Sequence, residues 1–135
     1  MMEHKWINNT DVLSMFPTPV WKIELTSEAQ KTVNKNILEA LEGIRPPIAD
    51  LISAKGWQSN HDLHKLDEFR VLVSYIGDSV RTILKFLKIG YDDFEITGCW
   101  ANINPSGASQ RTHSHPNNYL SGIYYVQTQA RADTI

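Results

Sequence analysis

Eight apolar residues, Phe69, Leu72, Val73, Ile76, Val80, Ile83, Leu84 and Leu87, recur at a spacing close to 3.6 along the middle of the chain. A stripe of this length and regularity can only be buried along one side of a helix, so a helix packed against something apolar is the first constraint on the fold. Asp67 and Glu68 stand at its start and Lys85 and Lys88 near its end, the order that complements the helix dipole. Gly90 is a natural stop. Gly77, in the interior, costs about 1 kcal/mol relative to alanine, which predicts a close neighbour there.

A second helix precedes it. Val33, Ile37, Leu41 and Ile44 share one face. Ser27 with Gln30 offers a capping box, Glu28 suits the positive helix end, and Pro46-Pro47 closes the segment. Upstream, Asn8-Asn9-Thr10-Asp11 reads as a loop or frayed end. Val20 to Leu25 is rich in β-branched and aromatic residues and is predicted as a strand, with Pro19 at its start. Residues 48–66 lack a clear period, and Ala54 to Asn60 reads as a loop or a short strand around Trp57.

After Gly90 the chain changes character. Phe94 to Asn104 and Tyr119 to Val126 read as strands, joined through a turn at Pro105-Ser106-Gly107-Ala108-Ser109. The order predicts one α+β domain over residues 1–135, in which helices cover one face of a β structure.

Composition narrows the function. The chain has 135 residues, is 41% hydrophobic and 21% charged, and carries a formal net charge of -2. Its basic residues are scattered, which argues against extended nucleic-acid binding or attraction to an anionic membrane. No apolar run is long enough to span a bilayer, and the start lacks the apolar core of a signal peptide. The single cysteine, Cys99, allows no disulfide within one chain. A soluble cytoplasmic protein is expected.

Chemistry concentrates at His113-Ser114-His115-Pro116. On an extended backbone residues i and i+2 face one side, so both imidazoles could reach one ion, and Pro116 biases His115 toward that conformation. Imidazole suits iron, zinc, copper and nickel. Spacing alone leaves a polar loop with two solvated rings as the better reading. His4, His61 and His64 lie far upstream, and the latter two read as surface residues.

The longer pattern changes the weighting. Trp100 to Pro116, followed by Tyr119-Leu120-Ser121-Gly122-Ile123-Tyr124-Tyr125-Val126, is similar to a family of iron- and 2-oxoglutarate-dependent oxygenases found in marine bacteria and phages. Phe16-Pro17-Thr18-Pro19 resembles the family's opening. The layout also resembles the wider prolyl-hydroxylase-like group, where a strand and a Gly-containing turn lead to a His-x-Asp pair. The resemblance implies the N-terminal part of a double-stranded β-helix, jelly-roll or cupin-like, with two supporting helices. It implies Fe(II) as metal and 2-oxoglutarate as small-molecule cosubstrate. His113 takes the place of the first ligand, and His115 stands where the Asp would be. An imidazole there removes one negative charge from the site, so His115 either binds the metal or sits behind its ligands. Asn102, Gln110 and Tyr124 are candidate contacts to 2-oxoglutarate, each weighed against an ordinary structural role.

The family also calls for later strands, a distal histidine and a basic residue for the far carboxylate of 2-oxoglutarate. Arg111 and Arg131 do not stand in that place and read as exposed loop charges. The expectation is therefore a chain that stops inside the barrel, an incomplete and inactive fragment open to self-association through exposed strand edges. The competing expectations are a non-enzymatic cupin-like protein that binds metal or ligand, and a phage accessory or structural protein. The substrate is not legible.

Overall fold

The computed structural model describes residues 11, 13–53, 56–91 and 93–128. His4, Arg131, residues 8–10 and residues 132–135 lie outside them. The described chain is α+β: α1 (Ser27–Ile44), α2 (Ile48–Ser53), β1 (Trp57–Gln58), α3 (Arg70–Phe86) and β2 (Asn102–Ile103), with 3-10 turns at Leu63–Lys65 and Asp67–Phe69.

Helix α1 forms where its apolar spacing predicts. Val33, Ile37 and Leu41 are buried, with Ile37 only 2% exposed. The cap falls one residue earlier than Ser27. The Thr26 hydroxyl accepts from the Ala29 N–H at 3.3 Å, satisfying one orphan donor of the first turn. The helix ends at Arg45, ahead of Pro46-Pro47, and Ile44 is left exposed.

The long stripe becomes α3, entered through the Asp67–Phe69 turn, where the Arg70 guanidinium donates to the Asp67 carboxylate. Phe69, Leu72 and Leu84 are buried, and the rest of the stripe is half-buried. The close neighbour expected at Gly77 is present. A Cβ there would lie 3.2 Å from Arg81 Nη1 and 3.7 Å from Phe94 Cζ. The stop comes before Gly90. Lys88 adopts a left-handed φ of 56°. Its N–H donates to Lys85 O at 3.1 Å, and the Ile89 N–H donates to Leu84 O at 2.9 Å. This is a Schellman closure with lysine in the place usually taken by glycine.

Val33, Ile37 and Leu41 from α1 pack with Leu63, Phe69 and Leu72 into one cluster, on which Leu25, Trp57, Cys99, Tyr124 and Val126 lie half-buried. The segment between Ile48 and Leu66, irregular in sequence, contains α2 and the short strand at Trp57.

The β content is smaller than the sequence predicts. Among the described residues the sheet is one antiparallel pair, with Trp57 opposite Ile103 and Gln58 opposite Asn102. The pairing continues by other means. The Ser59 N–H donates to Ala101 O, and the Ser59 hydroxyl accepts from the Ala101 N–H, both at 3.0 Å. The Cys99 N–H donates to His61 O at 2.9 Å and the Leu63 N–H to Cys99 O at 3.1 Å. Residues 94–104 are thus strand only at Asn102–Ile103, and the strands predicted over 20–25 and 119–126 do not form. Strand propensity reports fit to a pleated, half-buried surface, and it builds no ladder without a neighbouring backbone. Val20 is 79% exposed, and its segment is held by Trp21, whose ring meets Phe86 edge-on at 5.9 Å.

Residues 123–126 keep the alternation of a strand, with Tyr124 and Val126 half-buried and Ile123 72% exposed. Their anchor is a helix side chain. Asn34 Nδ2 donates to Val126 O at 2.8 Å, and the Tyr124 hydroxyl donates to Asn34 Oδ1 at 2.7 Å.

Replacing Lys88 with glycine should raise stability by about 1 kcal/mol, because glycine adopts the left-handed cap without a Cβ penalty. A higher urea midpoint at unchanged slope is the expected result.

Candidate metal centre

The loop that carries His113 and His115 is bounded by two turns. Ala108 N–H donates to Pro105 O at 3.1 Å at one end. At the other, Pro116-Asn117 reverses the chain, with Asn117 at a φ of 66°. The loop is tied back to the preceding segment by the Thr97 hydroxyl, which donates to Asn118 Oδ1 at 2.7 Å.

Within it the two imidazoles meet. Their ring centroids are 4.8 Å apart and the planes are near perpendicular, at 80°. His113 Nδ1 lies 2.9 Å from the Arg111 carbonyl oxygen. A carbonyl only accepts, so this ring nitrogen carries the proton, and in the neutral ring the lone pair is left on Nε2. That is the arrangement by which a backbone carbonyl orients a metal-binding histidine. His113 is exposed and His115 half-buried. The His115 ring lies 5.7 Å from Trp100, and Trp100 stacks on His61 at 4.5 Å with an interplanar angle of 22°.

The donor chemistry of this pair fits a borderline divalent metal, since two imidazoles with one nitrogen each available are common ligands for iron, zinc or nickel. Among the described residues no group of three or more His, Cys, Asp and Glu side chains is placed to hold a metal ion. The fit is therefore to two ligands of a site. Cys99 is a poor further candidate, since burial pushes its thiol pKa up and disfavours the thiolate that binds metals.

The three polar residues expected near 2-oxoglutarate are dispersed by role. Asn102 lies in β2, opposite Gln58, with an exposed side chain. Gln110 is exposed on the loop two residues after Ala108. Tyr124 is engaged with Asn34 on α1. A concavity of about 430 Å³ opens elsewhere, where Gly77 and Arg81 of α3 face Phe94 and Ile96, and neither histidine of the pair lines it. His64, read from sequence as a surface residue, lines it and is half-buried, with Nδ1 enclosed and unpaired.

Residues 98–135 match the model of a protein family described as "Putative 2OG-Fe(II) oxygenase". The matched stretch takes in Trp100, His113, His115 and Tyr124, and it begins after both long helices. That family implies Fe(II) and 2-oxoglutarate. No curated protein and no solved structure matches the chain. No helix among the described residues is long and apolar enough to cross a membrane.

Two contacts have no counterpart among the sequence expectations: the Asn34 clamp and the His61–Trp100 stack. Asn34 carried a signal, as a polar residue three before Ile37 on a face otherwise apolar. The stack joins residues 39 positions apart and had no local signal.

Burial also raises the pKa of Tyr124 above its ordinary value of 10. The folded state therefore holds this proton more tightly than the unfolded chain, and stability falls as pH rises above about 10. Replacing Tyr124 with phenylalanine should cost about 1 kcal/mol at neutral pH and flatten that alkaline loss. Thermal melts of both proteins between pH 7 and 11 provide the check, and parallel alkaline slopes would exclude Tyr124 as the source.

Proposed function

We propose that this chain carries the metal-binding segment of an iron- and 2-oxoglutarate-dependent oxygenase of the hydroxylase type, with His113 and His115 as ligands. The observation that carries the reading is the His113–His115 pair itself. It joins two perpendicular imidazoles, one with its tautomer set by the Arg111 carbonyl, inside the stretch that matches the oxygenase family.

His113 would present Nε2 to the metal while its Nδ1–H stays on the backbone. His115, half-buried, would present its ring from the other side of Ser114. Iron bound with 2-oxoglutarate would supply reaction with dioxygen, in which one oxygen atom enters succinate as the keto acid loses carbon dioxide and the other hydroxylates a substrate C–H bond. Asn102 and Gln110 would offer amide groups to the cosubstrate's carboxylates. Tyr124 could do so only by giving up its bond to Asn34. The match of residues 98–135 to the oxygenase family is what supports a jelly-roll architecture as the context in which these residues act.

One observation favours a second reading, a protein that binds metal without turnover. The two imidazoles are accompanied by no third donor among the described residues, and the leading one is exposed to water.

The first test is metal binding. Nickel(II), a redox-stable stand-in for Fe(II), should bind the chain, and His113→Ala and His115→Ala should each weaken binding roughly tenfold or more. Undiminished binding by both variants would remove the assignment. Succinate formed from 2-oxoglutarate in the presence of Fe(II), and lost in His113→Ala, separates the oxygenase from the binding protein.

A further inference from the structure

Rings at four positions stand in series: His61, Trp100, His115 and His113, with centroid separations of 4.5, 5.7 and 4.8 Å. The series links the segment just before α3 to the exposed loop. Its inner end is well fixed. The Cys99 N–H donates to His61 O and the Leu63 N–H donates to Cys99 O, so the backbones at 61 and 99 are stitched on both sides. The glycine preceding Cys99 lies under the stack, where a Cβ would come 3.4 Å from Trp100 Cζ3 and 3.9 Å from the His61 Cβ. Trp100 is half-buried against this base. The outer end is a loop of irregular backbone, whose imidazoles would otherwise be free to change rotamer.

We infer that Trp100, braced by His61, is a positioning residue for His115. This rests on the reading of His113 and His115 as metal ligands. The indole lies beside the imidazole of His115 and limits its rotation. The stacked ring of His61 in turn limits the indole. Neither Trp100 nor His61 would touch the metal. They act through His115, as groups behind a ligand do when they hold it in the binding orientation and so reduce the entropy lost on binding. The arrangement also accounts for an exposed histidine lying flat on a tryptophan, a contact that core packing does not require.

The experiment uses the whole chain, with zinc(II) as a redox-inert probe followed by calorimetry, and circular dichroism as the control for folding. Trp100→Leu should weaken zinc binding about tenfold, while Trp100→Phe, which keeps a flat ring, should retain most of the affinity. His61→Ala should give a smaller loss that His61→Phe restores. A second readout needs no metal. The His115 ring protons, assigned with the His115→Ala variant, should carry a ring-current shift that is lost in Trp100→Leu. Zinc affinity unchanged in folded Trp100→Leu, or His115 ring protons that do not move, would overturn the proposal. Since His61 is exposed, its two variants keep the test decisive if Trp100→Leu does not fold. Failure of the underlying reading is recognised separately: zinc binding would then survive His113→Ala and His115→Ala while the ring-current shift remains.

Discussion

The burial of one face of α1 organises the molecule. Val33, Ile37 and Leu41 present a continuous apolar ridge, and Leu63, Phe69 and Leu72 close over it. Fully burying side chains of this size contributes about 1.5–3 kcal/mol each, more than any exposed ion pair on this chain can offer. The contact also joins distant parts of the sequence. Leu63, from the turn at Leu63–Lys65, belongs to the same buried cluster as the α1 residues, and the backbone at 61 and 63 is stitched to Cys99. From Cys99 the chain passes to Trp100 and then to the loop with the histidine pair. The position of that loop is thus set by apolar packing at one remove.

Hydrogen-bond accounting explains why the C-terminal half is extended without being a sheet. A backbone in β conformation presents donors and acceptors sideways, and they must be met by another strand, by side chains or by water. At residues 57–63 and 99–103 another backbone meets them, in part through the Ser59 hydroxyl. At residues 124–126 the Asn34 amide does so, and its two ends suit the Val126 carbonyl and the Tyr124 hydroxyl at once. Ile123 and Tyr125, which alternate with these residues, face outward. The alternation that predicts a strand records which side is buried, and a helix can bury that side as well as a sheet can.

Legibility in the sequence follows the range of the interactions involved. The two long helices were readable because their stripes are local and long. Gly77 was readable for a related reason, since glycine inside a helix is costly and its neighbour Phe94 supplies the compensation. The end of α3 was misplaced by two residues because a left-handed lysine does the work expected of Gly90, and lysine carries no mark of that conformation. The strand at Val20–Leu25 was misread because its residue types fit a pleated surface that the described residues do not offer. At the histidine pair, the i, i+2 spacing is legible, and the structure adds a contact between the two rings. The orientation of His113 was not, since it depends on the carbonyl of Arg111, a group every residue possesses.

A loop with two histidines needs restrained rings to serve as a metal site. Two imidazoles on a mobile backbone lose rotational freedom on meeting a metal, and that loss opposes binding. Here each ring has a separate restraint. The His113 Nδ1–H donates to a carbonyl of its own loop, two residues back. His115 is held from outside the loop, by an indole whose base is the seam between residues 61–63 and 99. The two restraints draw on different parts of the fold, so a change in the core around α1 would reach His115 through Trp100 and leave the His113 tautomer intact. The pair is therefore asymmetric: the orientation of one imidazole is a property of the loop, and that of the other is a property of the packing around residues 61–63 and 99.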